Sequence, residues 1–302
     1  TTCCNQNYFF PDAMALAYQR LGFRAAISIP VIDFPSAWAA SQNEYFDKGL
    51  AVHDAFRSSP LLSFSMAPHA PYTVNDAGFE RIRRYSEQLD LPVHCHLHET
   101  GQEIADSMAQ YGQRPFSRLE RLGLVNEHLT AVHMTQLTPA EIATCAERGV
   151  SVVHCPQSNL KLASGFCPAA ALLQAGVNLA IGTDGCASNN DLDMFEEVRL
   201  ASFVAKAATN DPTSLPAQTA LTMATRLGAQ ALHIGHLTGS LVPGRRADLI
   251  LVDVSPIHNT PRFRRDPNNA YAQIVYASKS TDVSDVMVNG KWLMRGRELL
   301  TL

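Results

Sequence analysis

The stretch PVHCHLHET, residues 92–100, sets His94, His96 and His98 two residues apart and follows them with Glu99. Three imidazoles and a carboxylate at this density are the donors a transition metal takes. In a strand, alternation puts the three histidines on one face and Glu99 on the other. Glu99 stands where the chain must turn, however, so it can still face the same end as His96. Further candidates end other apolar runs: His69 in APHAPY, His133 in LTAVH, His154 in VSVVH and Asp184 in IGTDG. A carboxylate such as Asp184 at a partly dry strand end costs several kcal/mol unless it is paired or metal-bound. A lone strand histidine is ordinarily a packed one. The matching positions on other strands reverse that expectation for His96. His94 reads as a packed interior histidine, and His98 stays open. Imidazoles and a carboxylate converging from separate strands suit Zn2+; Fe2+ and Mn2+ accept the same donors.

The elements that must position these groups follow one rhythm. Apolar runs at 25–32, 61–70, 91–99, 129–135, 150–158 and 177–185, with a weaker one at the start, alternate with helical patterns such as DAGFERIRRYSEQLD and TPAEIATCAERG. Asn75 or Asp76 caps the first helix and Thr138 the second, with Pro139 at its first position. The steps His96 to His133, His133 to His154 and His154 to Asp184 each span one strand, one helix and their loops. Repeated βα units with near-continuous apolar strands predict a parallel sheet covered by helices. Site-type residues at successive strand C-termini favour a (β/α)8 TIM-type barrel over an open doubly wound sheet. Seven strands are expected where a barrel has eight. The opening TTCCNQNYFF lacks an initiator Met and reads as the middle of a fold.

After Asp184 two helical stretches, MFEEVRLASFVAKAA and PAQTALTMATRLGAQALH, precede GSLVPGRRADLILVDVS and QIVYASKSTDVSDVMVNGKWLMRGREL. The last two read as β-rich, and Asn289-Gly290 between DVMV and KWLM predicts a hairpin. Residues 1–236 are expected to form the barrel and 237–302 a small β-sandwich part, with NTPRFRRDPNN (259–269) as a polar loop.

The chain has 302 residues, 46% of them hydrophobic and 17% charged, with a formal net charge of −4. No basic surface for nucleic acid is expected, and no run reaches the roughly 18 to 20 apolar residues of a membrane span. The seven cysteines, 3, 4, 95, 145, 155, 167 and 186, include no CxxC pair and are odd in number, so free thiols in a reducing cytoplasm are expected.

HLHET (96–100), VHMT (132–135), HCPQSNLKLASG (154–165) and GTDGCASNND (182–191) together resemble the amidohydrolase superfamily. More narrowly they resemble its 5′-methylthioadenosine/S-adenosylhomocysteine deaminases and the related triazine hydrolases. GSLVPGRRADLILVD is similar to that family's return into its β-sandwich. The resemblance implies a zinc-dependent deaminase turning an adenine-type nucleoside into its inosine analogue, with one metal per subunit and a homodimer as its assembly. His96 and Asp184 are the implied metal ligands. Glu99 would contact the purine and move protons, His133 would orient the attacking hydroxide, and His69 would contact substrate together with Glu99 and Asp184; Asp184 would take the proton from water. His154 receives no role. The family's first strand carries a His-x-His pair that supplies two further ligands, and nothing before His94 has that pattern, so the chain looks like the family without its N-terminal portion. LLSFSMAPHA holds no lysine for a bridging carbamate, which favours a single metal. The alternatives are a guanine or other base deaminase, a triazine-type hydrolase, or a non-catalytic truncated homologue.

Overall fold

The computed structural model describes residues 1–262, 266 and 269–301. Seven strands form one parallel sheet in chain order: β1 Cys3–Gln6, β2 Arg24–Val31, β3 Leu62–Pro68, β4 Val93–Leu97, β5 Leu129–His133, β6 Ser151–His154 and β7 Asn178–Ile181. Each is joined to the next by helical crossovers, and the sheet curls into part of a (β/α) barrel. The seven strands fall on the seven runs expected from sequence. All seven are parallel neighbours, so their C-terminal ends lie at the same end of the sheet.

Local chemistry explains the crossovers. Asn75, not Asp76, caps the helix Asp76–Leu89, its Oδ1 accepting the Gly78 amide at 2.9 Å. Asp76 instead sits in the first turn, bonded to Arg118 and Arg121, each at 2.7 Å. Thr138 and Glu141 form a reciprocal capping box on the helix Pro139–Arg148. β2 is buried at every position. The helix Gln42–Phe56 lies so close to it that a Cβ on Gly49 would stand 2.1 Å from Ile29 Cγ2.

After β7 one expectation is refined and one changes. PAQTALTMATRLGAQALH forms two helices, Ala217–Met223 and Arg226–Ala231. Between them Thr225 leaves helical geometry, and its hydroxyl bonds the Leu221 carbonyl at 2.8 Å, a side-chain-to-backbone bond that bends helices. QIVYA, read as β, is a five-residue π-helical segment, Gln273–Ala277. It docks on the helix Met194–Thr209, where Arg199 bonds the carbonyls of Val275 and Ser278 and Phe203 stacks on Tyr276. Tertiary packing here overrides strand propensity. The polar loop at 259–269 falls partly outside the described residues.

The chain ends in an antiparallel sheet of β8 Leu249–Val252, β9 Val283–Val288, β10 Lys291–Arg295 and β11 Glu298–Leu299. The hairpin between β9 and β10 turns on Asn289 and Gly290, with φ of 50° and 79°. Arg24 at the start of β2 ties the two sheets together: its guanidinium grips Asp248 through two bonds of 2.5 and 3.0 Å, and Asp248 also accepts the Asn289 amide at 2.8 Å. All seven cysteines are free. Among the described residues no helix is long and apolar enough to cross a membrane.

Candidate metal and active site

Four of the five strands from β3 to β7 deliver a site-type side chain to the sheet's C-terminal end. His69 follows β3, His96 lies in β4, His133 ends β5, and Asp184 lies three residues beyond β7. Donor atoms of His96, His133 and Asp184 all lie within 4.8 Å of one another. The rings of His96 and His133 stack with centroids 5.6 Å apart.

Each of the three is held by a partner that also fixes its free donor. His96 Nδ1 lies 2.7 Å from the His69 carbonyl. A carbonyl only accepts, so Nδ1 carries the proton and Nε2 keeps a lone pair. His133 Nδ1 meets Asn159 Oδ1 at 2.9 Å, which again leaves Nε2 facing the site. Asp184 Oδ2 accepts the hydroxyls of Ser158 at 2.6 Å and Ser188 at 2.5 Å. Imidazoles oriented through their second nitrogen are the usual support of metal ligands. His133 and Asp184 also sit at φ of 76° and 63°, a left-handed backbone that costs side chains energy and recurs where geometry serves a site.

Burial sets the charge states. It holds the His96 imidazole below its ordinary pKa, with His133 adding to the effect, so the ring is a neutral donor near pH 7. Burial works to raise the Asp184 carboxyl, but the two serine hydroxyls and His133 outweigh it, and the group stays ionised. The His69 imidazole is pushed down to about 4, chiefly by burial and next by His96. Two imidazole nitrogens and one carboxylate oxygen at this spacing fit a divalent metal of the zinc type.

Glu99 reaches the same mouth: its Oε2 stands 3.8 Å from His133 Nε2, and its side chain is 20% exposed. His69 packs against His96, centroids 5.0 Å apart, outside the three-donor cluster. His94 is buried and its Nδ1 contacts Asn7 at 3.3 Å; with Asn5, Ser65 and Thr130 it lines a small cavity.

His98 departs from the alternation expected of it. At φ 53° the chain turns just past β4, and the ring swings into the packing, where its Nε2 accepts the Phe116 amide at 3.0 Å. His154 is 1% exposed, its Nδ1 lacks a partner, and burial pushes it down to about 3; it stands outside the donor cluster.

Sequence reasoning counted His133 among the strand-end candidates but gave it the role of orienting hydroxide, and the structure brings its donor within 4.8 Å of those of His96 and Asp184. It missed the groups that hold the donors, Asn159, Ser158 and Ser188. The only available signal was the run of small polar residues in HCPQSN and GCASNN, directly after β6 and β7.

An amidohydrolase family model matches residues 1–293. A curated relative from Teredinibacter turnerae, named 5-methylthioadenosine/S-adenosylhomocysteine deaminase, is 46% identical over all of this chain, which spans 67% of that protein's length. A crystal structure of an adenosine deaminase from Xanthomonas campestris with bound zinc superposes with a TM-score of 0.97 at 58% identity, covering 100% of this chain and 68% of the other. An atrazine chlorohydrolase from Arthrobacter aurescens, complexed with zinc, shares the fold at TM-score 0.90 and 23% identity, covering 99% and 69% of the two chains. With a family match running almost end to end and a relative this similar over the whole of this chain, the chain belongs to the amidohydrolase family.

Proposed function

We propose that this protein is a zinc-dependent aminohydrolase that converts an adenine-type nucleoside, such as adenosine, 5′-methylthioadenosine or S-adenosylhomocysteine, to its inosine analogue and ammonia. The reading is supported by the names of the similar proteins and, in the chain itself, by one observation. His96, His133 and Asp184 bring three donors within 4.8 Å, with the Glu99 carboxyl 3.8 Å from His133.

His96 and Asp184 are the assigned metal ligands, and His133 stands close enough to share that duty or to orient the nucleophile. Zinc, when bound, lowers the pKa of water and so supplies the nucleophile at neutral pH. Asp184, ionised and fixed by Ser158 and Ser188, accepts the proton that water gives up. Attack on the amino-bearing carbon of the purine becomes favourable once the adjacent ring nitrogen gains a proton. Glu99 is placed to deliver that proton, to take one back from the newly formed C–OH and to hand it to the amine, which departs as ammonia; the proton held by Asp184 then returns to Glu99. His133 steadies the charge that develops at the attacked carbon's new oxygen. His69, beside His96, contacts the substrate. Hydrolysis of a plain amide would not need the ring protonation for which Glu99 stands ready. A reducing cytoplasm suits a chain whose seven cysteines are free.

The test is a panel of adenosine, 5′-methylthioadenosine, S-adenosylhomocysteine, guanine and an aminotriazine, offered to the zinc-loaded protein and followed by ultraviolet absorbance and ammonia release. Turnover concentrated on the adenine nucleosides is expected. Turnover confined to the free base or the triazine would overturn the substrate class, and inertness towards all five would overturn the enzyme reading.

A further inference from the structure

Glu103 lies in the first turn of the helix Gly101–Tyr111 and is 7% exposed. Its Oε1 accepts the His98 amide at 3.1 Å and its Oε2 the Glu99 amide at 2.7 Å. Thr100 caps the helix by accepting the Glu103 amide at 3.1 Å. An ordinary capping box returns the third-position carboxylate to the cap residue's own amide. Here the carboxylate extends past the cap to both amides of the turn that presents Glu99.

The same turn is held from its other side. Thr135 Oγ1 donates to the Glu99 carbonyl at 2.6 Å, and the Thr135 amide donates to the His98 carbonyl at 2.9 Å. Residues 98 and 99 thus have their amides fixed by Glu103 and their carbonyls by Thr135. The turn needs this support, because His98 holds a left-handed φ of 53° that persists only where neighbours over-determine it. Among the described residues Glu103 forms no ion pair. A buried carboxylate spent on two backbone amides, with no cation to offset its desolvation, is a costly way merely to start a helix.

We propose that Glu103 is a positioning residue that fixes the Glu99 carboxyl for proton transfer by clamping the amides of His98 and Glu99. This rests on the reading of Glu99 as the proton carrier. A clamp of this kind acts on the chemical step and leaves the metal ligands alone, since His96 is held separately by the His69 carbonyl. Glu103→Gln keeps one acceptor and turns an amide NH2 towards the second backbone N–H.

The experiment compares wild type, Glu103→Gln, Glu99→Gln and the double variant, all zinc-loaded, with an adenine nucleoside. Glu103→Gln is expected to lower kcat about 10- to 100-fold, as small misplacements of a reacting group do, with KM and zinc content unchanged. The double variant is expected to be no slower than Glu99→Gln alone, because two losses that act through one group do not multiply. Multiplying losses, or a wild-type kcat in Glu103→Gln while Glu99→Gln is impaired, would overturn the clamp and leave the proton carrier standing. Full activity in Glu99→Gln would overturn both. Amide hydrogen exchange reads the clamp without any turnover. In Glu103→Gln the His98 and Glu99 amides are expected to exchange at least about tenfold faster, with the His96 amide unchanged. Unaltered exchange at those two amides would also overturn it. Should Glu103→Gln not fold, Thr135→Val removes the hydroxyl from the other side of the turn and is expected to give the same kinetic pattern.

Discussion

Glu99 approaches the His133 imidazole at 3.8 Å, too far for a hydrogen bond, and so keeps its carboxyl available to a bound molecule. Glu99→Gln should therefore cut deamination by about a hundredfold or more, the scale of general acid–base catalysis, with zinc content unchanged. Steady-state absorbance assays alongside metal analysis check this, and near-normal turnover would contradict the role. At this scale the sequence was legible where a group ends an apolar strand: His96, His133 and Asp184 declare themselves that way. It was not legible for His98, because a single left-handed residue cancels the two-residue alternation on which the expectation rested. Nor was it legible for Asn159, Ser158, Ser188 and Glu103. Asn159 and Ser158 act on partners 26 residues away on other strands' ends, where local spacing carries no signal, while Ser188 and Glu103 lie four residues from Asp184 and Glu99, a spacing too common to announce a holding role.

Among the elements, periodicity located all seven parallel strands and both capped helices, since an apolar run flanked by caps and prolines has few alternatives. It failed for Gln273–Ala277, where residues of high strand propensity are taken by the helix that carries Arg199 and Phe203. The Asn289-Gly290 hairpin is the element whose chemistry is most local. Both residues have positive φ, which glycine adopts freely and alanine does not. Gly290→Ala should cost about 1–2 kcal/mol of stability. No atom lies within 4 Å of the position where the new Cβ would sit, so the penalty is conformational and not steric. Urea unfolding measures it, and an unchanged midpoint would contradict the assigned turn.

For the whole molecule, two devices stand out. Arg24 and Asp248 form a buried pair, side chains 3% and 0% exposed, that joins β2 to the C-terminal sheet. Arg24→Ala leaves a buried carboxylate without its cation and should destabilise the protein by about 3–5 kcal/mol, visible as a lowered urea midpoint; a loss below about 1 kcal/mol would contradict the tie. The second device is the set of buried imidazoles. His98 and His69 are pushed down to about 4, and His94 and His154 to about 3, chiefly by burial, from an ordinary 6.5. A folded pKa below the unfolded one means that the unfolded chain takes up protons first as pH falls, so stability is lost from about pH 6.5 downward. Burial raises Glu103 to about 7 and Glu197 to about 8, which works in the opposite sense over part of that range, but the imidazoles outnumber them. The metal-free protein should therefore weaken steadily between pH 6.5 and 4, as followed by urea midpoints, and a flat profile would contradict neutral buried histidines. The central claim is that His96 and Asp184, with His133 beside them, converge on one divalent cation, and metal analysis of the purified chain tests it most directly. About one zinc per chain is expected in the wild type, with loss in both His96→Ala and Asp184→Ala; a wild type without zinc, or variants that retain it in full, would contradict the account.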